Sequence, residues 1–203
     1  MKAARAPSDI AVRNRLLSAA TELFSRKGYS ATTTREIVAA AGVTKPVLYY
    51  YFRSKEGIYL ELIREAFAKF DALLDGSRKG RGSVLEKLLH LSDQVYLLFM
   101  ENIEVAKLMY SIYYGPPQGA PFFDFDAYHL RFQEALRSMI KEGIRRGELP
   151  KGNVEDRMWI ILGAVNIAME VNLCHPEMAI DRKGLARMLH LILRGLQQEG
   201  MRK

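Results

Sequence analysis

The chain has 203 residues, of which 49% are hydrophobic and 26% charged, proportions typical of a folded globular protein. Its one cysteine, Cys174, excludes an internal disulfide and a cysteine-based zinc site. The formal net charge is +7: residues 1–70 hold 12 Lys and Arg against 6 Asp and Glu, whereas residues 71–203 hold 18 against 17. The basic excess therefore lies in the first third of the chain, which indicates a polyanionic partner for that part.

Several sequence features that would indicate a membrane, secreted or enzymatic protein are missing. No uninterrupted apolar run reaches the roughly 18 residues of a membrane span, and residues 1–10 lack the apolar core of a secretory signal. We therefore expect a cytoplasmic protein without a membrane partner. The four histidines have neither metal-ligand nor catalytic-triad spacing, and there is no glycine-rich phosphate loop, so we expect no enzyme activity, no catalytic residue, no metal and no cofactor.

Apolar residues recur with helical periodicity along most of the chain, which predicts an all-α fold of about nine helices. The first helix spans about residues 9–27 and stops at Gly28. A capping box of Thr33 and Glu36 starts the second, which ends before Gly42. The third has Thr44 as its N-cap, with a proline in its first turn. The fourth opens at Ser54 and continues to about residue 75.

The rest of the chain is predicted to be a larger helical body. Residues 76–83 form a glycine-rich, charged linker, and a second capping box of Ser83 and Glu86 begins the fifth helix. Residues 113–121 contain three prolines and two glycines and cannot be regular helix. The remaining helices are expected at about 102–114, 124–146, 154–173 and 182–198. We assign residues 1–54 to a three-helix head and 55–203 to the body, with the fourth helix bridging them.

The second and third helices, joined by a tight turn at Gly42, form a helix-turn-helix pattern. In that motif the second helix enters the major groove while the first crosses the phosphate backbone. The third helix offers a threonine, a lysine and three tyrosines, which suit base edges and phosphates. A plain helical hairpin would give the same pattern. Lys2 and Arg5 could reach an adjacent minor groove, or could belong to a solvated terminus.

Residues 15–63 resemble the amino-terminal domain of the tetracycline-repressor (TetR-type) transcriptional regulators. The matching features are AA..LF...GY in the first helix, TTTREI at the start of the second, AGVTKPVLYYYF across the turn and third helix, and SKEGI at the start of the fourth. The resemblance implies a DNA operator as partner and a helical body whose last two helices form a homodimer.

The resemblance also suggests roles for individual residues. Phosphate contacts fall on Thr33, Tyr49, Tyr51 and Lys55, although Tyr51 could equally pack beneath the domain. Base contacts fall on Arg35, Thr44, Lys45, Pro46 and Tyr50. Many members have glycine at the position of Pro46 and histidine at that of Tyr50, so base preference is not transferable.

The body contains a dense group of aromatic and methionine residues between 96 and 132, which suggests a pocket for a small hydrophobic or aromatic effector. Ordinary core packing is the alternative for each residue. Glu170 weakly favours a cationic ligand, because a buried carboxylate needs a partner and a ligand could supply it. The candidate ligand-binding residues are Tyr96, Phe99, Met100, Met109, Tyr110, Tyr113, Phe122, Tyr128, His129, Phe132, Asn166 and Glu170.

Apolar residues nearly encircle the helix predicted at 154–173, so it should be covered on two sides, one of them by a second copy of the chain. The candidate dimer residues are Trp159, Leu162, Met169, Leu185, Leu189, Ile192 and Leu196. The favoured hypothesis is a dimeric repressor released from its operator by a small hydrophobic ligand. The alternative is a non-enzymatic helical protein whose basic head binds nucleic acid or membrane surfaces non-specifically.

Overall fold

The computed structural model describes residues 9–77, 82–115 and 119–198, and within these ranges the chain forms nine α-helices, one 3-10 helix and no strand. The all-α prediction is confirmed. Lys2 and Arg5 lie outside the described residues. The helices are α1 (Asp9–Lys27), α2 (Thr34–Ala41), α3 (Lys45–Phe52), α4 (Lys55–Ser77), α5 (Val84–Glu101), α6 (Ile103–Tyr113), α7 (Phe125–Arg145), α8 (Val154–Cys174) and α9 (Arg182–Gln198).

Helix starts follow the local capping chemistry. Ser83 forms the predicted capping box with Glu86 at the start of α5, and Asn153 caps α8 through the backbone N–H of Glu155. Two details differ from expectation. Helix α4 continues to Ser77, so the first two residues of the predicted linker are helical, while residues 78–81 lie outside the described part. The 3-10 helix Pro176–Met178 was not predicted from the sequence.

The described residues divide into two compact units. The first contains those of Met1–Ala66 and Ile103–Phe123, and the second those of Phe67–Asn102 and Asp124–Lys203. The two units interleave along the chain, whereas the domains proposed from the sequence are continuous.

The first unit is built on α1, which packs against α2 and α6. Its interior contains apolar side chains from each of its helices, and the fully buried ones include Leu16, Ile37, Leu48, Ile58 and Leu108. The contact of α1 with α6 includes a hydrogen bond of 2.7 Å from the Ser25 hydroxyl to the Glu104 carboxylate. The helix-turn-helix segment therefore has an apolar base that holds it in place.

The second unit is a helical body in which α5, α7, α8 and α9 surround a shared apolar core. Side chains that are at most 2% exposed include Leu88, Leu91, Leu136, Val165 and Leu189. At one end of this core the Tyr96 hydroxyl and the Asn172 amide both donate to the Ile180 carbonyl, at 2.7 and 2.9 Å. These bonds attach the segment before α9 to α5 and α8.

By length and composition α8 could cross a membrane, because its most apolar window has a mean hydropathy of 1.3 even though polar residues interrupt its apolar run. The core helix of a soluble protein passes the same test, and 44% of that window is buried inside the protein. Its neighbours are the other helices of the body, so its apolar character is partly explained by the core it helps to form.

Candidate nucleic-acid interface

Helix α2 begins at a complete capping box. The Glu36 N–H donates to the Thr33 hydroxyl at 3.3 Å, and the Thr33 N–H donates to the Glu36 carboxylate at 2.9 Å. The Lys27 ammonium at the end of α1 lies 2.5 Å from the same carboxylate. These contacts, the hydrogen bond from Lys27 first and those from Thr33 next, lower the pKa of Glu36 to about 2. The start of α2 is thereby joined to the end of α1.

The turn between α2 and α3 depends on Gly42. Its φ of 63° lies in the left-handed region, which a residue without a Cβ adopts readily. The Gly42 N–H donates to the Ala39 carbonyl, and the Val43 N–H donates to the Val38 carbonyl, so the last carbonyls of α2 are satisfied. Thr44 then starts α3 with extended backbone, and its side chain makes no capping hydrogen bond.

Helix α3 has an inner and an outer face. Leu48 is fully buried and Phe52 is 7% exposed, and the Arg13 guanidinium lies 5.6 Å from the centre of the Phe52 ring. On the outer face Tyr49 is 46% exposed and Tyr50 is 75% exposed. The other exposed residues on this side are Thr44, Lys45 and Pro46. The candidate base-reading residues of α3 therefore all lie at the surface, and its core residues lie behind them.

The junction between α3 and α4 requires two unusual residues. Arg53 has a φ of 63°, is exposed, and donates its N–H to the Tyr49 carbonyl. Gly57 lies so close to the end of α3 that a Cβ there would be 1.9 Å from the Phe52 carbonyl oxygen. Sequence reasoning missed both. A basic residue directly after the last apolar residue of α3 was the available signal for Arg53.

Lys55, predicted to contact phosphate, is held by its own domain. Its ammonium donates to the Tyr29 and Thr32 carbonyls, both at 3.0 Å, and lies 4.1 Å from the centre of the Tyr29 ring. Partial burial lowers its pKa. These contacts tie the start of α4 to the turn between α1 and α2, and a phosphate contact by Lys55 stays a prediction.

Tyr51 is also engaged within the domain. Its hydroxyl donates to the carboxylate of Asp9 at the start of α1. That bond, more than any other factor, raises the pKa of Tyr51 to about 12. The Tyr51 side chain is half-buried, so it is neither fully exposed on the DNA-facing side nor fully packed beneath the domain. Its contact with phosphate stays a prediction.

Cations in this unit fall into two groups. Arg13 pairs with Glu61 and Glu65 at 2.5 and 2.7 Å and so serves the packing of α1 against α4. By contrast Arg35, Lys45 and Arg53 are exposed around the helix-turn-helix. The exposed group supplies positive charge where a polyanion would approach.

The chain is similar to known regulatory proteins. Residues 16–62 match the family model for bacterial regulatory proteins of the tetR family. The repressor KstR2 of Mycolicibacterium smegmatis is 30% identical over 143 residues, 66% of each protein. The regulator QacR of Staphylococcus aureus is 44% identical over 52 residues, 26% of this chain and 28% of QacR. The crystal structure of PfmR, a TetR-family regulator from Thermus thermophilus, superposes with a TM-score of 0.70 at 27% identity, covering 90% of this chain and 98% of PfmR.

The chain belongs to the TetR family. It is therefore a helix-turn-helix, DNA-binding transcriptional regulator, and α2 with α3 is its DNA-binding motif. The relatives are regulators rather than enzymes.

The twelve candidate ligand residues of this TetR-family protein divide between the two units. Met109, Tyr110, Tyr113 and Phe122 belong to the first, and the other eight to the second: Tyr96, Phe99, Met100, Tyr128, His129, Phe132, Asn166 and Glu170. Core packing accounts for Tyr96 and Phe132, each 4% exposed. Phe122 is 88% exposed, and His129 and Glu170 are exposed as well. Glu170 is at the surface rather than buried, so its carboxylate gives no reason to expect a cationic ligand.

The candidate dimer residues lie mainly on the inner faces of α8 and α9, which pack into the core of their own chain. Four of them are buried in the core of their own chain, namely Leu162, Leu185, Leu189 and Leu196, and Met169 and Ile192 are partly buried against the same core. Of the predicted set Trp159 alone is exposed, at 54%. The other exposed large apolar residues of these two helices are Ile160 and Ile167 on α8 and Leu191 on α9. Helical periodicity predicts that α8 has two apolar sides but does not say which of them faces the core.

Proposed function

We propose that this TetR-family protein is a cytoplasmic, dimeric repressor that binds a two-fold symmetric DNA operator and is released by a small hydrophobic ligand. The observation that carries the proposal is the outer face of α3, where Lys45, Pro46 and Tyr50 are exposed while Leu48 and Phe52 fix the helix from behind. A side-chain set of this kind suits the major groove. The similarity to KstR2, itself a transcriptional repressor, supports the direction of regulation.

The proposal assigns different functions to two parts of the chain. Residues 1–54 would bind DNA and residues 55–203 would bind the ligand and the second copy. Helix α4 is one continuous helix of 23 residues that begins directly after α3 and ends in the body. A ligand that favours one position of α4 would change the separation of the two recognition helices, which must match one turn of DNA, roughly 34–36 Å.

The outer faces of α8 and α9 support dimerisation. The face of α8 exposes Trp159 and Ile167, and a Cβ added at Gly163 between them would meet nothing within 4 Å. Acidic residues Asp156 and Glu170 flank that face, whereas α9 exposes Arg187 and Arg194 beside Leu191. Apolar centres with opposite charges at their edges favour packing of α8 and α9 against those of a second copy.

DNA binding is tested by selecting bound sequences from a random duplex pool and measuring affinity by fluorescence anisotropy at several salt concentrations. We expect a two-fold symmetric sequence that binds at least a thousandfold more tightly than a scrambled duplex. The Lys45→Ala variant should change the preference among sequences, and Lys141→Ala, an exposed lysine on α7, is the matched control. Equal binding to all duplexes would support the non-specific alternative, and vesicle binding would support the membrane-surface form.

Dimerisation is tested by sedimentation. Gly163→Trp adds a large side chain into open space in the single chain, so it should leave the fold intact and separate the dimer. Gly76→Trp, also in open space but on α4, is the control. A dimer that persists in Gly163→Trp would contradict this interface.

The ligand class is tested on the full chain by thermal shift. Hydrophobic aromatic compounds should raise the melting temperature and, at the same concentrations, release the selected operator. Stabilisation by sugar phosphates instead would contradict the proposed class, since phosphates require a basic nest. Stabilisation without release would contradict the proposed direction of control.

A further inference from the structure

The chemistry available on α3 limits which bases it can read. Its sequence, KPVLYYYF, contains no Asn, Gln, Arg, Asp or Glu. The bidentate contact to adenine uses Asn or Gln, and the contact to the cytosine amino group uses a carboxylate. Helix α3 can make neither, so a base-edge hydrogen bond from a charged group of α3 can come only from Lys45.

Lys45 is placed for such a contact and not for helix stability. It is the first residue of α3, is exposed, and has no acidic residue in the same turn. A cation at a helix N-terminus faces the positive end of the helix dipole, which is unfavourable for the helix. Because the ammonium group only donates, its best major-groove partner is the guanine edge, where O6 and N7 are both acceptors.

Pro46 and Tyr50 form an apolar surface next to that ammonium. They are four residues apart and therefore share a face of α3, and both are exposed, Tyr50 by 75%. The proline ring carries no donor. The apolar group on the major-groove edge of a base pair is the thymine methyl. Arg35, the exposed cation on α2, would also select guanine if it reached a base, so it does not change the class of site.

We propose that each operator half-site contains a guanine bound by Lys45 and a neighbouring thymine whose methyl group packs against Pro46 and Tyr50. The inference rests on the proposed function and adds the bases that specify the site. Lys45 and Pro46 are consecutive in α3, so the proposal places the two bases close together in the half-site.

Base analogues in the selected operator test each contact separately. Replacing the guanine of one half-site by 7-deazaguanine removes N7 and should weaken binding about threefold to tenfold, within the range of such contacts. Replacing the neighbouring thymine by deoxyuridine removes only the methyl group and should weaken binding about threefold to fourfold, the value expected for one buried carbon. The same analogues placed outside the half-sites should have no effect.

Two variants assign each effect to its residue. Lys45→Ala should lose the sensitivity to 7-deazaguanine and keep the sensitivity to deoxyuridine, and the double variant Pro46→Ala, Tyr50→Ala should show the reverse. All three changes are at exposed positions, and unchanged melting temperatures will show that the fold is intact. Analogue effects that persist in the matching variant would overturn the assignment. Specific binding to half-sites that contain no guanine would also overturn it. Specific binding that neither analogue weakens would do the same.

Different experimental outcomes would contradict the repressor proposal and the base assignment. If no sequence is enriched from the random pool, the proposed function is wrong and this inference is wrong with it. If a symmetric operator is enriched but its guanines and thymines can be replaced by the analogues without loss, the repressor proposal stands and the base assignment is overturned.

Discussion

The hydroxyl of Tyr51, in the recognition helix, donates a hydrogen bond to the carboxylate of Asp9 at the first turn of α1. The two residues are 42 positions apart, and the bond connects the beginning of the described chain to the end of α3. Only the protonated phenol can donate this bond, and the adjacent negative charge disfavours the phenolate. Both effects raise the pKa of Tyr51, to about 12.

The Asp9→Asn variant should therefore return the pKa of Tyr51 toward its ordinary value near 10. The measurement is an alkaline absorbance titration at the wavelength of phenolate, taken as the difference from the same protein carrying Tyr51→Phe. Tyr50→Phe is the control, because Tyr50 is its exposed neighbour. An unchanged pKa in Asp9→Asn would mean that another group is responsible.

The capping box of α2 should make stability depend on acid pH. Glu36 has a folded-state pKa of about 2 against an ordinary value of 4.5. Since the folded state prefers the charged form, its contribution is complete above pH 4.5, decreases as pH falls, and is absent below about pH 2. Glu36→Gln should thus lower the melting temperature at pH 7 and have little effect at pH 2. Glu22→Gln, whose carboxylate is 4.0 Å from Arg26 on the exposed side of α1, should have little effect at either pH.

Replacing Gly57 by alanine should destabilise the first unit. A Cβ at this position would lie 1.9 Å from the Phe52 carbonyl oxygen, so the end of α3 must move, at a loss of about 1–3 kcal/mol. Gly76→Ala in the same helix meets nothing within 4 Å and should instead stabilise by about 0.5–1 kcal/mol. Denaturant unfolding monitored by circular dichroism compares the two. Similar effects from both changes would show that α3 and α4 are not packed this closely.

Neighbouring leucines on α9 should behave in opposite ways. Leu189 is 2% exposed and Leu191 is 72% exposed. Leu189→Ala should lower the free energy of unfolding by about 2–5 kcal/mol because it leaves a cavity in the core. Leu191→Ala should leave the fold unchanged, and it should weaken self-association if the proposed outer face is the dimer interface. Equilibrium unfolding and sedimentation separate the two effects.

The contacts of Lys55 predict that removing its ammonium group destabilises the first unit. Lys55→Met keeps the aliphatic chain over Tyr29 but removes the hydrogen bonds to the Tyr29 and Thr32 carbonyls. A hydrogen bond from a charged donor contributes up to about 1.5–3 kcal/mol to the free energy of unfolding. The melting temperature should therefore fall. Lys45→Met, at an exposed position, should leave the melting temperature unchanged. If both variants melt like the parent protein, these hydrogen bonds do not stabilise the domain.

Affinity for duplexes of unrelated sequence should fall in Tyr49→Phe, because the phenol is exposed on the outer face of α3 and a phosphate contact would be independent of sequence. The ranking of operator sequences should stay the same. Anisotropy titrations against the selected operator and three scrambled duplexes provide the measurement. A change in ranking would assign Tyr49 to base contacts.

Local chemistry explains how much of the helical layout is readable from the sequence. Thr33 with Glu36, and Ser83 with Glu86, start helices through bonds to residues three positions away, so the pattern is sufficient to place them. Gly42 similarly marks a left-handed turn by being the residue that adopts it most easily. For the same reason the outer residues of α3 could be named in advance, since the burial of Leu48 follows from helical spacing.

Contacts between distant parts of the chain could not be read in this way. The partners of Lys55 and of Tyr51 lie more than 20 residues away, and they became known only when α1, α3 and α4 were placed together. Leu189 lies in the core and Leu191 at the surface because one particular side of α9 meets α5 and α8. Both residues are leucines only two positions apart, so the spacing of apolar residues does not tell which of them faces the core. Capping is decided by neighbours in sequence, whereas burial and ion pairing are decided by neighbours in space, and the latter exist only in the folded chain.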